Sequence, residues 1–213
     1  MTLFLLIRHG ESRANREGFF AGQLDAPLEA KGYAQAQCTA QFIAHHYAVD
    51  KVYASDLRRA YDTGKAVAEL LDIQVIPDPR LRELNAGLWQ GLEFDRIKEQ
   101  YSEDYRVWLN NIGSCVCTGG ESIAQLGQRV LAALTEFAEE NPGKTLVIAT
   151  HATPIRVLQS LLHEKGLSRM KDIPWVSNAS VTELRYDAGK WELGAVAQDA
   201  HLQEMKTSFG ANV

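Results

Sequence analysis

A chain of 213 residues with 46% hydrophobic composition is long enough for one substantial core, and no Pro/Gly/Ser-rich linker divides it. Its 27 acidic and 22 basic side chains give a formal charge of -5, which excludes a general nucleic-acid binder and makes any anion site a local one. No basic segment precedes Leu3 and no apolar run approaches about 18 residues, so neither a signal peptide nor a spanning helix is predicted; the expectation is a cytoplasmic protein with a single domain over 1–213.

The first element is Leu3-Phe4-Leu5-Leu6-Ile7, five apolar residues that run straight into Arg8-His9-Gly10. That is the pattern of a fully buried strand delivering polar side chains at its carboxyl end, with Gly10 permitting a sharp turn. Residues 10–28 are rich in Gly, Asn, Arg and Asp and close with Pro27, an irregular connection of functional length. Ala36, Ala40, Ile43 and Ala44 recur at helical spacing and predict a helix over 29–47. Residues 51–54 read as a short strand, followed by Ser55-Asp56 as N-cap candidates and a helix with Leu57, Tyr61, Gly64, Val67 and Leu71 on its apolar face. Val75-Ile76 is a third short strand, stopped by Pro77 and Pro79.

Residues 94–109 predict one further helix, and 110–120 a loop. Cys38, Cys115 and Cys117 do not make a disulfide framework, and Cys115-x-Cys117 lacks a second pair to complete a metal site, so that pair reads as loop thiols. Gly119-Gly120-Glu121-Ser122 introduces a helix with Ile123, Leu126, Val130, Leu134 and Phe137 on one face, ended by Asn141-Pro142-Gly143. Residues 144–150 form a second strongly buried strand, and it too runs into a histidine, His151. Ile155, Leu158 and Leu162 make the next helix amphipathic, and 180–186 with 190–196 alternate about Asp187-Ala188-Gly189 as a hairpin.

Strands alternating with helices predict an α/β fold, a three-layer α/β/α sandwich around a mostly parallel sheet, whose ligands bind beyond the carboxyl ends of the strands. Three strand-to-helix junctions carry polar groups here: Arg8-His9, Ser55 with Arg58-Arg59, and His151. Parallel strands bring all three to one edge. Two histidines and Glu83 could make a metal site, but a dication beside Arg8 and Arg59 would meet like charge, whereas a phosphate would be held by the same guanidiniums. With phosphate bound, a neutral imidazole can act as nucleophile on phosphorus, while Arg8, Arg59 and the second histidine stabilise charge. Glu83 lies in a mixed polar and apolar segment, where partial burial favours a protonated carboxyl able to serve the leaving alkoxide.

The chain resembles the histidine phosphatase superfamily, in the branch that also contains cofactor-dependent phosphoglycerate mutases. Arg8-His9-Gly10-Glu11-Ser12 followed by Asn15 is similar to the family's RHGxSxxN motif, and Gly22-Gln23-Leu24-Asp25-Ala26-Pro27-Leu28 with Gly32 to GxxDxPLxxxG. Ser55-Asp56-Leu57-Arg58-Arg59-Ala60 with Thr63 is similar to SxLxRAxxT, and Leu81-Arg82-Glu83-Leu84 with Gly87, Trp89 and Gly91 to LxExxxGxWxG. Gly119-Gly120-Glu121-Ser122 and Thr150-His151 complete the order. The resemblance implies a phosphoglycerate mutase-like fold, His9 as the phosphorylated nucleophile, Arg8, Arg59 and His151 as the rest of the phosphate pocket, and Glu83 as proton donor. It implies phosphate or substrate contacts from Asn15 and from the backbone near Gly22 and Gln23, with Arg58 a solvated neighbour. One departure is Thr150-His151-Ala152-Thr153 where the family usually has SHGG; Ala152 keeps the backbone N–H that would face phosphate, provided the position does not require positive φ.

The leading expectation is therefore a metal-independent phosphomonoesterase acting on a small phosphorylated metabolite, with no cofactor and no metal. A phosphoglycerate mutase is the enzymic alternative, and a phosphate-binding protein without turnover is the third. The mutases carry a longer basic insertion after the Glu motif, whereas 92–120 is short and bears Glu93, Asp95, Glu99, Glu103 and Asp104. Specificity is expected in this lid segment, 92–120, and around 175–180. His45, His46, His163 and His201 lie away from strand ends and read as structural, Trp89 reads as packing, and Trp108 borders the lid as packing or platform. No nucleic-acid or membrane partner is expected; a homodimer through a sheet edge is compatible with the pattern.

Overall fold

The computed structural model describes residues 1–164 and 166–207; the ends of the domain expected over 1–213 therefore include 208–213, which lie outside the described residues. In chain order the elements are β1 (Thr2–Arg8), α1 (Arg13–Glu17), α2 (Ala30–His46), β2 (Lys51–Ala54), α3 (Arg58–Leu70), β3 (Val75–Pro77), α4 (Phe94–Gln100) and α5 (Ser102–Asn110). They continue with α6 (Ile123–Glu140), β4 (Thr145–Thr150), α7 (Ala152–Leu161), β5 (Val181–Asp187) and β6 (Lys190–Leu193). The six strands form one sheet in the order β3-β2-β4-β1-β5-β6. β1, β2, β3 and β4 run parallel, and the hairpin of β5 and β6 adds two antiparallel strands beside β1.

Side chains alternate across a strand, and β1 shows what that does when both faces are covered. Leu5 and Ile7 pack with Ala36, Ala40 and Ile43 of α2 and Val67 of α3 on one face. Phe4 and Leu6 pack with Leu126, Val130 and Leu134 of α6 and Ile155 and Leu158 of α7 on the other. Two cores, one on each side of a sheet, make the α/β/α sandwich anticipated from the pattern. α6 begins with a reciprocal cap: Ser122 Oγ accepts from Gln125 N–H while Gln125 Oε1 accepts from Ser122 N–H, at 3.1 and 2.8 Å.

Several local expectations are corrected. The helix over 94–109 is two helices, broken at Tyr101, whose φ of -130° and ψ of 45° leave the helical region; the turn lets Ile97 of α4 and Tyr105 and Trp108 of α5 face the same core. Ser55 does not cap α3: the N-cap is Leu57, and the Arg58 N–H is taken instead by Asp25 Oδ1 at 2.8 Å, from the long connection. α7 has the amphipathic sequence expected, but its polar side is covered as well: every residue from Ala152 to Ser160 is buried, Arg156 and Gln159 included. Gly10 serves proximity rather than a left-handed turn: a Cβ there would stand 2.3 Å from the Gly32 carbonyl oxygen, and one on Gly32 would stand 2.1 Å from the Glu11 carbonyl oxygen. Cys115 and Cys117 lie in a loop but are buried in the core beneath it. Among the described residues no helix is long and apolar enough to cross a membrane.

Candidate active site

The register of the sheet decides what meets at its edge. Arg8 pairs with Thr150 and Ala54 with Ala149, so the residues that follow the three strands, His9, Ser55 and His151, emerge side by side. The ladder continues one step further, with the His9 N–H on the Thr150 carbonyl at 3.0 Å and the Ser55 N–H on the Ala149 carbonyl at 2.9 Å. The His9 and His151 rings meet edge to face, centroids 5.2 Å apart.

His9 Nδ1 lies 2.7 Å from the Gly10 carbonyl oxygen. A carbonyl only accepts, so Nδ1 carries the proton and Nε2 keeps the lone pair. His151 is fully buried, with Nε2 2.9 Å from Ser55 Oγ and an Nδ1 that has no hydrogen-bond partner. Burial, reinforced by the charges of Arg59 and Arg8, pushes both imidazoles well below their ordinary pKa of 6.5, so both are neutral near pH 7.

The cations are held by backbone. Arg8 Nη1 donates to the Val176 carbonyl at 2.6 Å; Arg59 donates through Nη1 to Leu24 and through Nη2 to Gly22, at 2.8 and 2.7 Å. Burial lowers each guanidinium to about 10, against the opposing pull of Glu83, which leaves both charged at neutral pH. Carbonyl partners fix the geometry without cancelling the charge, which suits an anion site.

Glu83 reaches the edge from a loop that is pinned on two sides. Thr150 Oγ donates to the Leu81 carbonyl at 2.7 Å. Arg129 of α6 donates to the carbonyls of Arg80, Arg82 and Glu83, each at 2.8 Å, and pairs with Glu121 at 2.6 Å. Glu121 Oε1 in turn accepts from the Asn85 N–H at 2.7 Å. The Gly119-Gly120-Glu121-Ser122 segment thus supplies the carboxylate that orients the clamp on this loop. Glu83 itself is 9% exposed, its Oε1 accepting from the Leu84 N–H at 2.7 Å and Oε2 from the Thr153 N–H at 3.3 Å.

One cleft is lined by Arg8, His9, Asn15, Gly22, Arg59, Glu83 and Ala152 together. His151 stands against it through the His9 ring. Ala152 is the first residue of α7 and is absent from the positive-φ positions, so its N–H points along the helix start as a glycine's would. Asn15 Oδ1 accepts from the Ser12 N–H and hydroxyl and from Asn178 Nδ2, which leaves the Nδ2 donors to a ligand. Gln23 is not on the wall: its N–H goes to Gln90 Oε1 at 2.7 Å and its side-chain amide to the Glu83 carbonyl at 3.1 Å, so it ties two loops together. Arg58 is exposed.

Sequence reading did not assign Ser12, Thr153 or the aromatic residues Phe19, Phe20, Phe94 and Trp175 to the cleft, and left Trp108 undecided. Ser12 stood inside a quoted motif; the aromatics follow no spacing that marks a ligand. Phe94 and Trp108 come from the 92–120 segment and Trp175 from the other segment expected to carry specificity.

Comparison with known proteins follows the same residues. The model of the histidine phosphatase superfamily (branch 1) matches residues 4–199. The chain is 33% identical to phosphoserine phosphatase 1 of Hydrogenobacter thermophilus, over 79% of this chain and 80% of that one. Among solved structures, Bacillus stearothermophilus YhfR superposes with a TM-score of 0.90 at 26% identity, covering 95% of this chain and all of the other (100%). A mycobacterial glucosyl-3-phosphoglycerate phosphatase superposes with a TM-score of 0.85 at 27% identity, covering 92% and 99%.

Proposed function

This chain belongs to the histidine phosphatase superfamily, branch 1, and is a phosphatase, and from that premise we propose that it hydrolyses a small phosphorylated metabolite in the cytoplasm through a phosphohistidine on His9, without a metal. The observation that carries the reading is the neutral His9 with Nδ1 committed to the Gly10 carbonyl, set between two charged guanidiniums and a carboxyl.

In the first step His9 Nε2 attacks phosphorus and the bond from phosphorus to the ester oxygen breaks. Arg8, Arg59, His151 and the Ala152 N–H take the non-bridging oxygens, and Glu83 gives its proton to the leaving alkoxide. The attacking imidazole becomes cationic, and the Nδ1 hydrogen bond to Gly10 strengthens as it does so. In the second step water attacks phosphorus, Glu83 accepts a proton from it, and the bond from phosphorus to Nε2 breaks to release phosphate and neutral His9. The acidic 92–120 segment, which gives the cleft Phe94 and Trp108 and no cation, favours hydrolysis over retention of a bisphosphorylated intermediate.

The names of the relatives leave the alcohol open, phosphoserine in one and a glucosyl phosphoglycerate in another. The test is phosphate release from a panel of monoesters with EDTA present, beside phosphoglycerate mutase assays, on wild type and His9→Ala. Release that resists EDTA and falls at least about 10⁴-fold in His9→Ala, with the thermal transition retained, is the expected result. Wild-type-like turnover by His9→Ala, or loss of activity to EDTA that a divalent metal restores, would overturn the mechanism.

A further inference from the structure

We infer that the phosphomonoester this cleft selects has an uncharged, apolar alcohol portion that lies flat against aromatic rings. The inference deepens the phosphatase reading and rests on it. It starts from how the cleft lining divides. The groups able to hold phosphate and move protons form the floor, and the rest of the wall is Phe19, Phe20, Phe94, Trp108 and Trp175, with two alanines between them. Among the described residues, Arg8, Arg59 and Glu83 are the charged ones lining the cleft, and all three belong to the floor.

Four of the five rings form a continuous, braced series, Phe94, Phe20, Trp108 and Trp175. Phe20 lies 5.9 Å from Phe94 and 5.3 Å from Trp108, and Trp108 lies 6.0 Å from Trp175, centroid to centroid. Behind Trp175 the Arg156 guanidinium sits 4.1 Å from the ring centroid. Arg156 is itself fixed, donating to the Ile173 carbonyl at 2.6 Å and the Met170 carbonyl at 2.9 Å. A rotor so held is ordered before a ligand arrives, so little ordering entropy is lost on binding. Phe19, Phe94 and Trp175 remain partly exposed, which leaves ring surface for a ligand to cover.

The same lining discriminates against negative charge. A carboxylate on the leaving alcohol would have to draw on Arg8 or Arg59, which the phosphate already engages. Two other cations, Arg156 and Lys171, line a neighbouring depression that shares Trp108 and Trp175 with the cleft, and neither of them lines the cleft itself. A carboxylate set against the faces of these aromatic rings would lose hydration without gaining a partner. Phosphoserine, with one charge of each sign on its alcohol side, fits this wall poorly.

The experiment compares kcat/KM for 2-phenylethyl phosphate, ethyl phosphate and O-phosphoserine, all esters of primary alcohols, with p-nitrophenyl phosphate as control. Covering one face of a phenyl group predicts an advantage of about 50-fold for 2-phenylethyl over ethyl phosphate, and a larger one over phosphoserine. Trp175→Ala should cut the ratio of 2-phenylethyl to ethyl phosphate by about 10-fold, and Phe94→Ala, on a different element, should lower the same ratio if the first variant folds poorly. Phosphoserine turned over as well as or better than 2-phenylethyl phosphate, or a ratio untouched by both substitutions, would overturn the inference while leaving the phosphatase intact. No release even from p-nitrophenyl phosphate would instead bring down the phosphatase reading on which it rests.

Discussion

The floor and the aromatic wall of the cleft are held in place by different means. On the floor, His9, Ser55 and His151 each follow a strand whose neighbours lock it in register, and Arg8 and Arg59 are tied to main-chain carbonyls. Those positions are fixed by hydrogen bonds, which hold polar atoms to fractions of an ångström. The wall is fixed chiefly by ring packing, from α4, α5 and two loops, at separations of 5.3 to 6.0 Å, with the Arg156 guanidinium behind Trp175. Packing tolerates exchange of one apolar side chain for another of similar volume, whereas a strand-end histidine has no substitute. The floor is thus suited to chemistry common to many substrates, and the wall to choosing among them.

The division makes its strongest prediction at Glu83, the floor residue that a substrate's leaving group can bypass. Glu83→Gln keeps the shape and the acceptor for the Leu84 N–H but removes the proton. Turnover of 2-phenylethyl phosphate should fall by about 10² to 10³-fold, and that of p-nitrophenyl phosphate by less than about 5-fold, because p-nitrophenolate leaves without protonation. Equal losses on both esters would remove the acid role and blur the line between floor and wall.

The same division explains what could be read from the chain. The floor was legible because its members sit at the ends of strands whose apolar runs are visible, as in Leu3 to Ile7 before Arg8-His9. Ser55 was placed correctly but misread, since Ser before a helix has a local explanation that hides its contact with His151, 96 positions away. The cap on α3 from Asp25 and the role of Gly10 against Gly32 were equally invisible, both being meetings of segments distant in sequence. The wall was not legible because a tryptophan such as Trp108 meets the needs of a core and of a cleft with the same side chain. The two-helix break at Tyr101 follows from that packing and not from any residue that breaks helices.

Between floor and wall stands the clamp on the acid-bearing loop, and it offers a smaller, sharper test. Arg129→Ala removes three hydrogen bonds to carbonyls and leaves Glu121 without its ion pair. If the clamp works by positioning Glu83, kcat for 2-phenylethyl phosphate should drop by about 10-fold with little change for p-nitrophenyl phosphate, and Arg129→Lys should recover part of the loss. A purely structural role would lower the two rates together, following the loss of folded protein.

The smallest effect expected is on stability, and two of the three histidines that carry it belong to the floor. His9 and His151 have folded-state pKa values well below the 6.5 of the unfolded chain. Between those values the unfolded state binds protons that the folded state refuses, so stability falls as pH drops below about 6.5 and is unaffected above it. From pH 7.5 to pH 6 each histidine should cost about 1 kcal/mol, read as a shift in urea midpoint. His151→Gln should flatten that slope by its share, while His201, also lowered chiefly by burial, contributes equally in both proteins. Trp175→Ala should leave the slope as it is, because no wall residue titrates in this window. A slope that Trp175→Ala flattens and His151→Gln does not would mean that the two regions are coupled through the fold, and that the chemistry and the selection of the ester cannot be changed independently.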